Sequence, residues 1–559
     1  MLRLKLGLLF ISAVYVALIL VGCGGGSNSN PAPSFTLSPS PSSVTIAQDG
    51  QGTSTVTITP QNGFSGSVAL SSSGLPSGVT AAFNPSAATT SSTLTLTASA
   101  TAATGPVTVT ITGTSGALTS NTTLTLTVNG SIPAGAFKHV VIIFQENRST
   151  DNLFHDPVLI AAGADIASQG KTSTGETVTL TPVPLVTSYD LDHSHAAFRD
   201  ACDYNPSTNT CAMDGADKIS CSTRSCPADP QYQYVQASDV QPYFTMAETY
   251  TFGDRMFQTN QGPSFPAHQF IISGTSAPTA TSNLFAAENP SGGAGCIAPA
   301  GATVTLIDPS GEESSSQYPC FEHPTLSDLL DAQGISWRYY TPTAGSIWTG
   351  PNAIQHICQA QTESGQLVCT GGDWSNVIIP QKKVLTDIAN NQLAAVTWVI
   401  PNGAESDHAG SNEGLGPSWV ASIVNAIGNS SYWSNSAIII TWDDWGGWYD
   451  HVAPPQVLVN CAQWGCGYAY GLRVPLIVVS PYAQAAYISH TPHDFGSILR
   501  FIEENFGLPS LGYADAYADD LSDCFNFSQT PLKFQTIPAA VSAEQFLNDR
   551  RPPTDPDDD

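Results

Sequence analysis

Positive charge is scarce in this chain: 17 Lys and Arg stand against 45 Asp and Glu in 559 residues, a formal net charge of -28. That balance excludes binding to a nucleic-acid backbone through summed positive charge. Only 11% of residues are charged while 41% are hydrophobic, so a disordered polyelectrolyte is excluded too. Apolar runs are short, and the one from Leu6 to Gly22 is marginal for a bilayer span. The widest gap lies between Gly24 and Phe137, which holds no Lys, Arg, His, Cys, Trp or Tyr and has Asp49 as its sole acid. A segment without proton-transfer groups performs no acid-base catalysis, and without Trp or Tyr it has little with which to stack on sugars. All 11 histidines lie from His139 onward, so chemistry is sought there. The length itself exceeds what one core usually supports, which implies two domains and a linker.

Arg3 and Lys5 precede the first apolar run, as in a cleaved export signal. Leu20-Val21-Gly22-Cys23 resembles a bacterial lipobox, which implies a signal over residues 1–23 with Cys23 as the acylated first residue of the mature chain. Residues 24–33 then read as a flexible tether. The expected location is the cell envelope or extracellular face, attached to the membrane through lipidated Cys23. Cysteine spacing fits an oxidising compartment: Cys202/Cys211, Cys221/Cys226, Cys296/Cys320, Cys358/Cys369 and Cys461/Cys466 are close in sequence, with Cys524 left over. Spacing does not fix their connectivity. Cys221 and Cys226 have no second thiolate pair at structural-zinc spacing.

Residues 34–130 alternate Thr and Ser with Val, Leu and Ile, as in Thr93-Leu94-Thr95-Leu96-Thr97, between Gly, Pro and Ser turns. This predicts an immunoglobulin-like β-sandwich acting as a spacer. From about residue 137 to 549 the pattern changes to short continuous apolar runs. Val140–Phe144, Ala394–Ile400, Ala437–Ile440 and Val474–Val479 read as strands buried on both faces of a mainly parallel sheet. Helices are expected between them, one from Thr325 to Gln333 with Thr325 and Asp328 as a capping box, another through Ile498, Leu499, Ile502 and Phe506 with Gly507 as its stop. The fold class is therefore α/β, with helices on both faces of the sheet. Residues 550–559 read as a disordered tail.

Ligands collect beyond the carboxyl ends of strands in such sheets. Glu146 and Asn147 follow the first strand, Asp407 and His408 follow the one ending at Ile400, and Asp443 and Asp444 follow Trp442. Glu146, Asn147, Asp443 and Asp444 are hard oxygen ligands that suit a divalent cation of the Ca²⁺ or Mg²⁺ kind, its identity open. Ser264, in Gly262-Pro263-Ser264-Phe265-Pro266, is expected at a helix N-terminus with Pro266 in the first turn, either as a nucleophile or as a plain cap. His193 or His195, His356 and His408 are the candidate proton carriers.

These segments together resemble the bacterial phosphoesterase family that contains phosphatidylcholine-type phospholipases C and related acid phosphatases. Gln145–Asp151, Gly262–Pro266, Ser406–His408 and the long stretch Thr441–Pro455 carry the likeness, with Ser497–Glu503 in support. It implies an alkaline-phosphatase-like fold and phosphoryl transfer from a phospholipid or other phosphate ester through a covalent intermediate. Ser264 would be the nucleophile, and Glu146, Asn147, Asp443 and Asp444 would bind the metal together with the Ser264 oxygen. His193, His356 and His408 would surround the phosphoryl group, with Asp450 and His451 further out. The sequence departs from the family's pattern at Thr150, Asn152 and Ala267-His268. A broad-specificity acid phosphatase and a non-catalytic surface adhesion protein stay open as alternatives.

Overall fold

The computed structural model describes residues 31–554 apart from residues 49, 100, 206–209, 223–225 and 456–469. The expected signal, Cys23, most of the tether, the Cys461/Cys466 pair and residues 555–559 lie outside the described residues.

The Thr-rich segment forms a four-stranded and a five-stranded sheet. Alternation with period two sends one side chain of each pair inward, as the pattern of Ser91–Ala98 shows. Val56, Leu94, Leu96, Val109, Ile111 and Leu126 from both sheets meet in one hydrophobic cluster. The outward positions are mostly Thr and Ser.

The second region is a mixed α/β structure around an eight-stranded sheet. Its spatial order is Val377–Ile378, Trp337–Tyr340, Val396–Val399, His139–Gln145, Ser436–Trp442, Leu476–Val479, Thr251–Gly253 and Tyr487–Ser489. All seven residues of Ser436–Trp442 and all four of Val396–Val399 are buried, which is why the sequence shows continuous apolar runs there. Phe144 and Trp442 show that both faces are covered. Phe144 meets His268 and Phe495 from the helices Ser264–Ser273 and Phe495–Phe506, while Trp442 meets Tyr243 from Gln241–Thr249. The helix Leu326–Ala332 has the capping box of Thr325 and Asp328, and Gly507 ends Phe495–Phe506 in a left-handed conformation at φ 65°.

Two expectations need correction. The strand Leu476–Val479 runs antiparallel to both neighbours rather than parallel. All four of its residues are buried, and a strand covered on both faces shows the same continuous apolar run in either direction. The tail expected from residue 550 is tied down as far as Thr554: Arg551 pairs with Glu413 at 2.7 Å, and the Gly403 N–H donates to the Thr554 carbonyl at 2.8 Å. The disulfides Cys202–Cys211, Cys221–Cys226, Cys296–Cys320 and Cys358–Cys369 form as local pairs, and Cys524 is a buried free thiol. No described helix is long and apolar enough to cross a membrane.

Candidate active site

The site starts from strand register. His139–Gln145 pairs in parallel with Ser436–Trp442, with Gln145 opposite Trp442, so Glu146-Asn147 and Asp443-Asp444 leave the sheet side by side. The Asp443 N–H donates to the Gln145 carbonyl at 2.9 Å, and the Asn147 N–H donates to Asp443 Oδ1 at 3.0 Å. Asn147 turns into this position at φ 50°, a conformation Asn tolerates better than most residues. Its side-chain amide donates to Asp444 Oδ2 at 3.0 Å. Gly446, at φ 63°, lets the tandem-acid turn pass Asn147, because a Cβ there would lie 2.4 Å from the Asn147 carbonyl oxygen.

Ser264 is the first residue of the helix Ser264–Ser273, and Pro266 sits in the first turn. The Ser264 hydroxyl donates to Asp444 Oδ2 at 3.3 Å and lies 3.4 Å from Asn147 Nδ2. Three segments distant in sequence therefore meet at one hydroxyl. Gly262 allows the approach, since a Cβ at that position would fall 2.0 Å from the Ala287 carbonyl oxygen.

His193 and His408 join this group. His193 donates from Nδ1 to the Leu191 carbonyl at 2.8 Å, which leaves Nε2 facing Asn147 Nδ2 at 3.1 Å. The His408 ring centre is 5.7 Å from that of His193. Asp407 does not serve His408: its Oδ2 accepts from Tyr243 Oη at 2.8 Å and Trp442 Nε1 at 3.0 Å, and burial pushes its pKa up to about 6. His195 binds the Gln261 carbonyl at 2.9 Å instead, so His193 is the imidazole that faces Asn147.

His356 is a correction. Its contacts are Glu322 at 2.9 Å and Asp328 at 3.2 Å, an ion-pair cluster at the start of the helix Leu326–Ala332. The Asp328 hydrogen bond leads the effects that raise its pKa to about 9, so it is a charged structural tie. No described contact links it to Ser264.

His268, in sequence a departure from the family's pattern, joins the site. It lies four residues after Ser264, on the same helix face, and this spacing was the signal available. Fully buried, it places Nε2 3.2 Å from Glu146 Oε1. One ligand atom each from Glu146, His268 and Asp443 lie within 4.8 Å of one another.

Glu146, Asp443 and Asp444 are all fully buried, and such charge needs compensation. The neighbouring Arg148 does not supply it directly, because its guanidinium binds the carbonyls of Asp407 and Leu185 and the side chain of Asn152. Asn147 Oδ1 and Asp443 Oδ2 are buried without a hydrogen-bond partner, a cost of about 1–3 kcal/mol each. Buried carboxylates gathered around a hydroxyl, with the Asn147 amide beside them, fit a hard divalent cation.

Asp450 and His451 hold the loop from outside. Arg473, fully buried, binds Asp450 at 2.8 Å and Asp151 at 3.0 Å, and His451 bridges Asp151 at 2.7 Å and Asp165 at 2.9 Å. This ties the tandem-acid loop to the segment after Glu146-Asn147.

Fold and site together define a mixed α/β protein with a buried serine set among carboxylates and imidazoles at the ends of parallel strands. Residues 137–509 match the family described as the Phosphoesterase family, and the chain belongs to it. It is 23% identical over 455 residues to "Non-hemolytic phospholipase C" of Pseudomonas aeruginosa, covering 73% of this chain and 60% of that protein. It is 24% identical over 429 residues to "Phospholipase C A" of Mycobacterium tuberculosis, covering 70% of this chain and 78% of that one. A Burkholderia pseudomallei "Non-hemolytic phospholipase C" is 23% identical, with 72% of this chain and 60% of the relative covered. The chain thus spans 60% of the length of the Pseudomonas and Burkholderia proteins.

Gly446→Ala is expected to push Asn147 out of place and weaken divalent-cation affinity by about 10-fold or more. Calorimetric titration checks this, and unchanged affinity contradicts the role given to the turn. A second expectation concerns pH. Burial opposes protonation of His451, but the Asp151 hydrogen bond and the charges of Asp151 and Asp450 raise its pKa to about 9. Its contribution to stability is complete below about pH 6.5, the unfolded value, and is lost as pH rises through about 9. Urea midpoints should fall over that window in the wild type and fall less in His451→Gln.

Proposed function

We propose that the chain is an exported, lipid-anchored phosphoesterase of the phospholipase C kind, hydrolysing phosphoric esters through Ser264 and a divalent cation. The observation that carries this reading is the convergence of Ser264, Asn147 and Asp444 within 3.4 Å of one another, flanked by buried Glu146 and Asp443. The names of the relatives favour a phospholipid substrate.

Glu146, Asn147, Asp443, Asp444 and Ser264 Oγ would hold the cation, and His268 would steady Glu146. Exchanging the N and O of the Asn147 amide presents its orphaned Oδ1 to the same spot. A cation bound there lowers the pKa of the Ser264 hydroxyl and neutralises phosphate that the acidic chain would otherwise repel. Asp444 orients the hydroxyl. Ser264 Oγ gives its proton to Asp444 Oδ2 and attacks phosphorus in line, so an Oγ–P bond forms as the ester P–O bond to the alcohol breaks. His193 or His408 gives its proton to the departing oxygen. The same imidazole then takes a proton from water, whose oxygen bonds to phosphorus as the Oγ–P bond breaks, and Asp444 returns the proton that restores Ser264. A cavity of about 450 Å³, lined by His193, Ser194, Pro263, Glu288 and Asn289 among others, leads to this group and would admit the substrate.

The catalytic region, residues 137–549, is read as alkaline-phosphatase-like. Residues 34–130 are read as an immunoglobulin-like β-sandwich that spaces it from the membrane, anchored through acylated Cys23. Supporting this are the segregation of all histidines to the second region and the separate hydrophobic cluster of the first.

Ser264→Ala is expected to lower turnover by roughly 10³-fold or more while the fold is retained. Near-normal hydrolysis by that variant contradicts the assignment. A phosphocholine diester should be cleaved faster than a simple phosphomonoester, and the reverse preference would make the protein a broad-specificity phosphatase. Cleavage of neither by the metal-loaded wild type would favour an adhesion role. Cys23→Ala should move the chain from the membrane to the soluble fraction, and persistence in the membrane contradicts lipid anchoring.

A further inference from the structure

A second group of ligating side chains lies apart from Ser264, where the loop after the edge strand Tyr487–Ser489 meets residues 519–524. His493 and Cys524 are fully buried, and Asp523 is 3% exposed. His493 Nε2 lies 3.4 Å from Asp523 Oδ1 and 3.9 Å from Cys524 Sγ, and Cys524 Sγ lies 3.7 Å from the same carboxylate oxygen. Zinc bond lengths in tetrahedral geometry give edges of about 3.4 Å between nitrogen and oxygen and about 3.6 Å to sulfur. The three atoms therefore already outline one face of such a tetrahedron.

Independent features point the same way. His493 Nδ1 lies 2.6 Å from Asp519 Oδ1, which fixes the ring with Nε2 toward Asp523 and Cys524. A carboxylate behind the imidazole is the usual support for a metal-bound histidine. Cys524 is a free thiol, although the other eight cysteines among the described residues form disulfides. Acid also exceeds base here: Asp519, Asp520 and Asp523 face the one imidazole, and Arg500 is the further cation beside Asp519 and Asp520. Ser489 Oγ lies 3.0 Å from His493 Nε2 and donates to Asp523 Oδ2, so a further oxygen adjoins the group.

We propose that His493, Asp523 and Cys524 form a structural site for a zinc-class divalent cation, with Asp519 orienting His493. The mixed nitrogen, oxygen and sulfur donors suit a borderline cation rather than the hard ion expected beside Ser264. Binding forms bonds to Sγ, Nε2 and a carboxylate oxygen, and the thiol and the imidazolium each release one proton to solvent without redox change. The site staples the C-terminal segment to the sheet edge, where the Cys524 carbonyl already accepts from Thr251 Oγ1 at 2.9 Å and from the Gln484 N–H at 2.9 Å.

Cobalt substitution of the full-length protein tests this apart from the Ser264 reading. A thiolate ligand gives Co²⁺ a near-ultraviolet charge-transfer band, whereas the oxygen and imidazole donors near Ser264 do not. Protein produced with Co²⁺ in place of zinc should show the band, and Zn²⁺ should displace it. Cys524→Ser should lose the band and about one metal equivalent per chain while keeping its turnover. Should that variant fail to fold, the wild-type spectrum decides alone. A Co²⁺-saturated wild type without the band, and without bound zinc as purified, overturns the proposal and leaves an imidazolium held between two carboxylates.

Discussion

The parallel register of His139–Gln145 against Ser436–Trp442 is the constraint on which the site depends. Because Gln145 and Trp442 end opposite each other, Glu146-Asn147 and Asp443-Asp444 have to share one small volume. Glu146, Asp443 and Asp444 are each fully buried. Carboxylates brought together without water are unfavourable unless protonated or paired with positive charge. The oxygen-rich geometry makes a divalent cation the economical solution, and the helix carrying Ser264 brings the hydroxyl to its edge.

The surrounding structure keeps that register useful. Arg473 spans the Asp151 and Asp450 carboxylates and also donates to the carbonyls of Asp165 and Asp254. Arg148 packs over the Trp448 ring at 4.9 Å while bonding the Asp407 carbonyl. The two buried guanidiniums tie three loops together, the one after Gln145, the one reaching Asp407 and the one carrying the tandem acids. The Arg473 charge favours the ionised forms of Asp151 and Asp450, the two carboxylates it spans.

Much of this was legible in the sequence because each signal was local. Continuous apolar runs marked the central strands, Thr325 and Asp328 marked a helix start, and short cysteine spacings marked four loops. The acids at strand ends were visible once those strands had been recognised. Strand direction was not, since Leu476–Val479 is buried on both faces just as a parallel strand would be, and only its pairing with Ser436–Trp442 and Thr251–Gly253 reveals it. His356 was misplaced because a histidine pairs with whatever acids its fold supplies, here Glu322 and Asp328, and spacing does not reveal them. His268 was undervalued for the converse reason: its meaning comes from Glu146, 122 positions away in the chain.

The central claim is that one cation sits among Glu146, Asn147, Asp443 and Asp444 with the Ser264 oxygen beside it. Anomalous diffraction from crystals soaked with Mn²⁺ and vanadate locates both partners at once. The account predicts a metal peak about 2.0–2.5 Å from those oxygens and vanadium bonded to Ser264 Oγ. A metal peak elsewhere, or vanadium remote from Ser264, would contradict it.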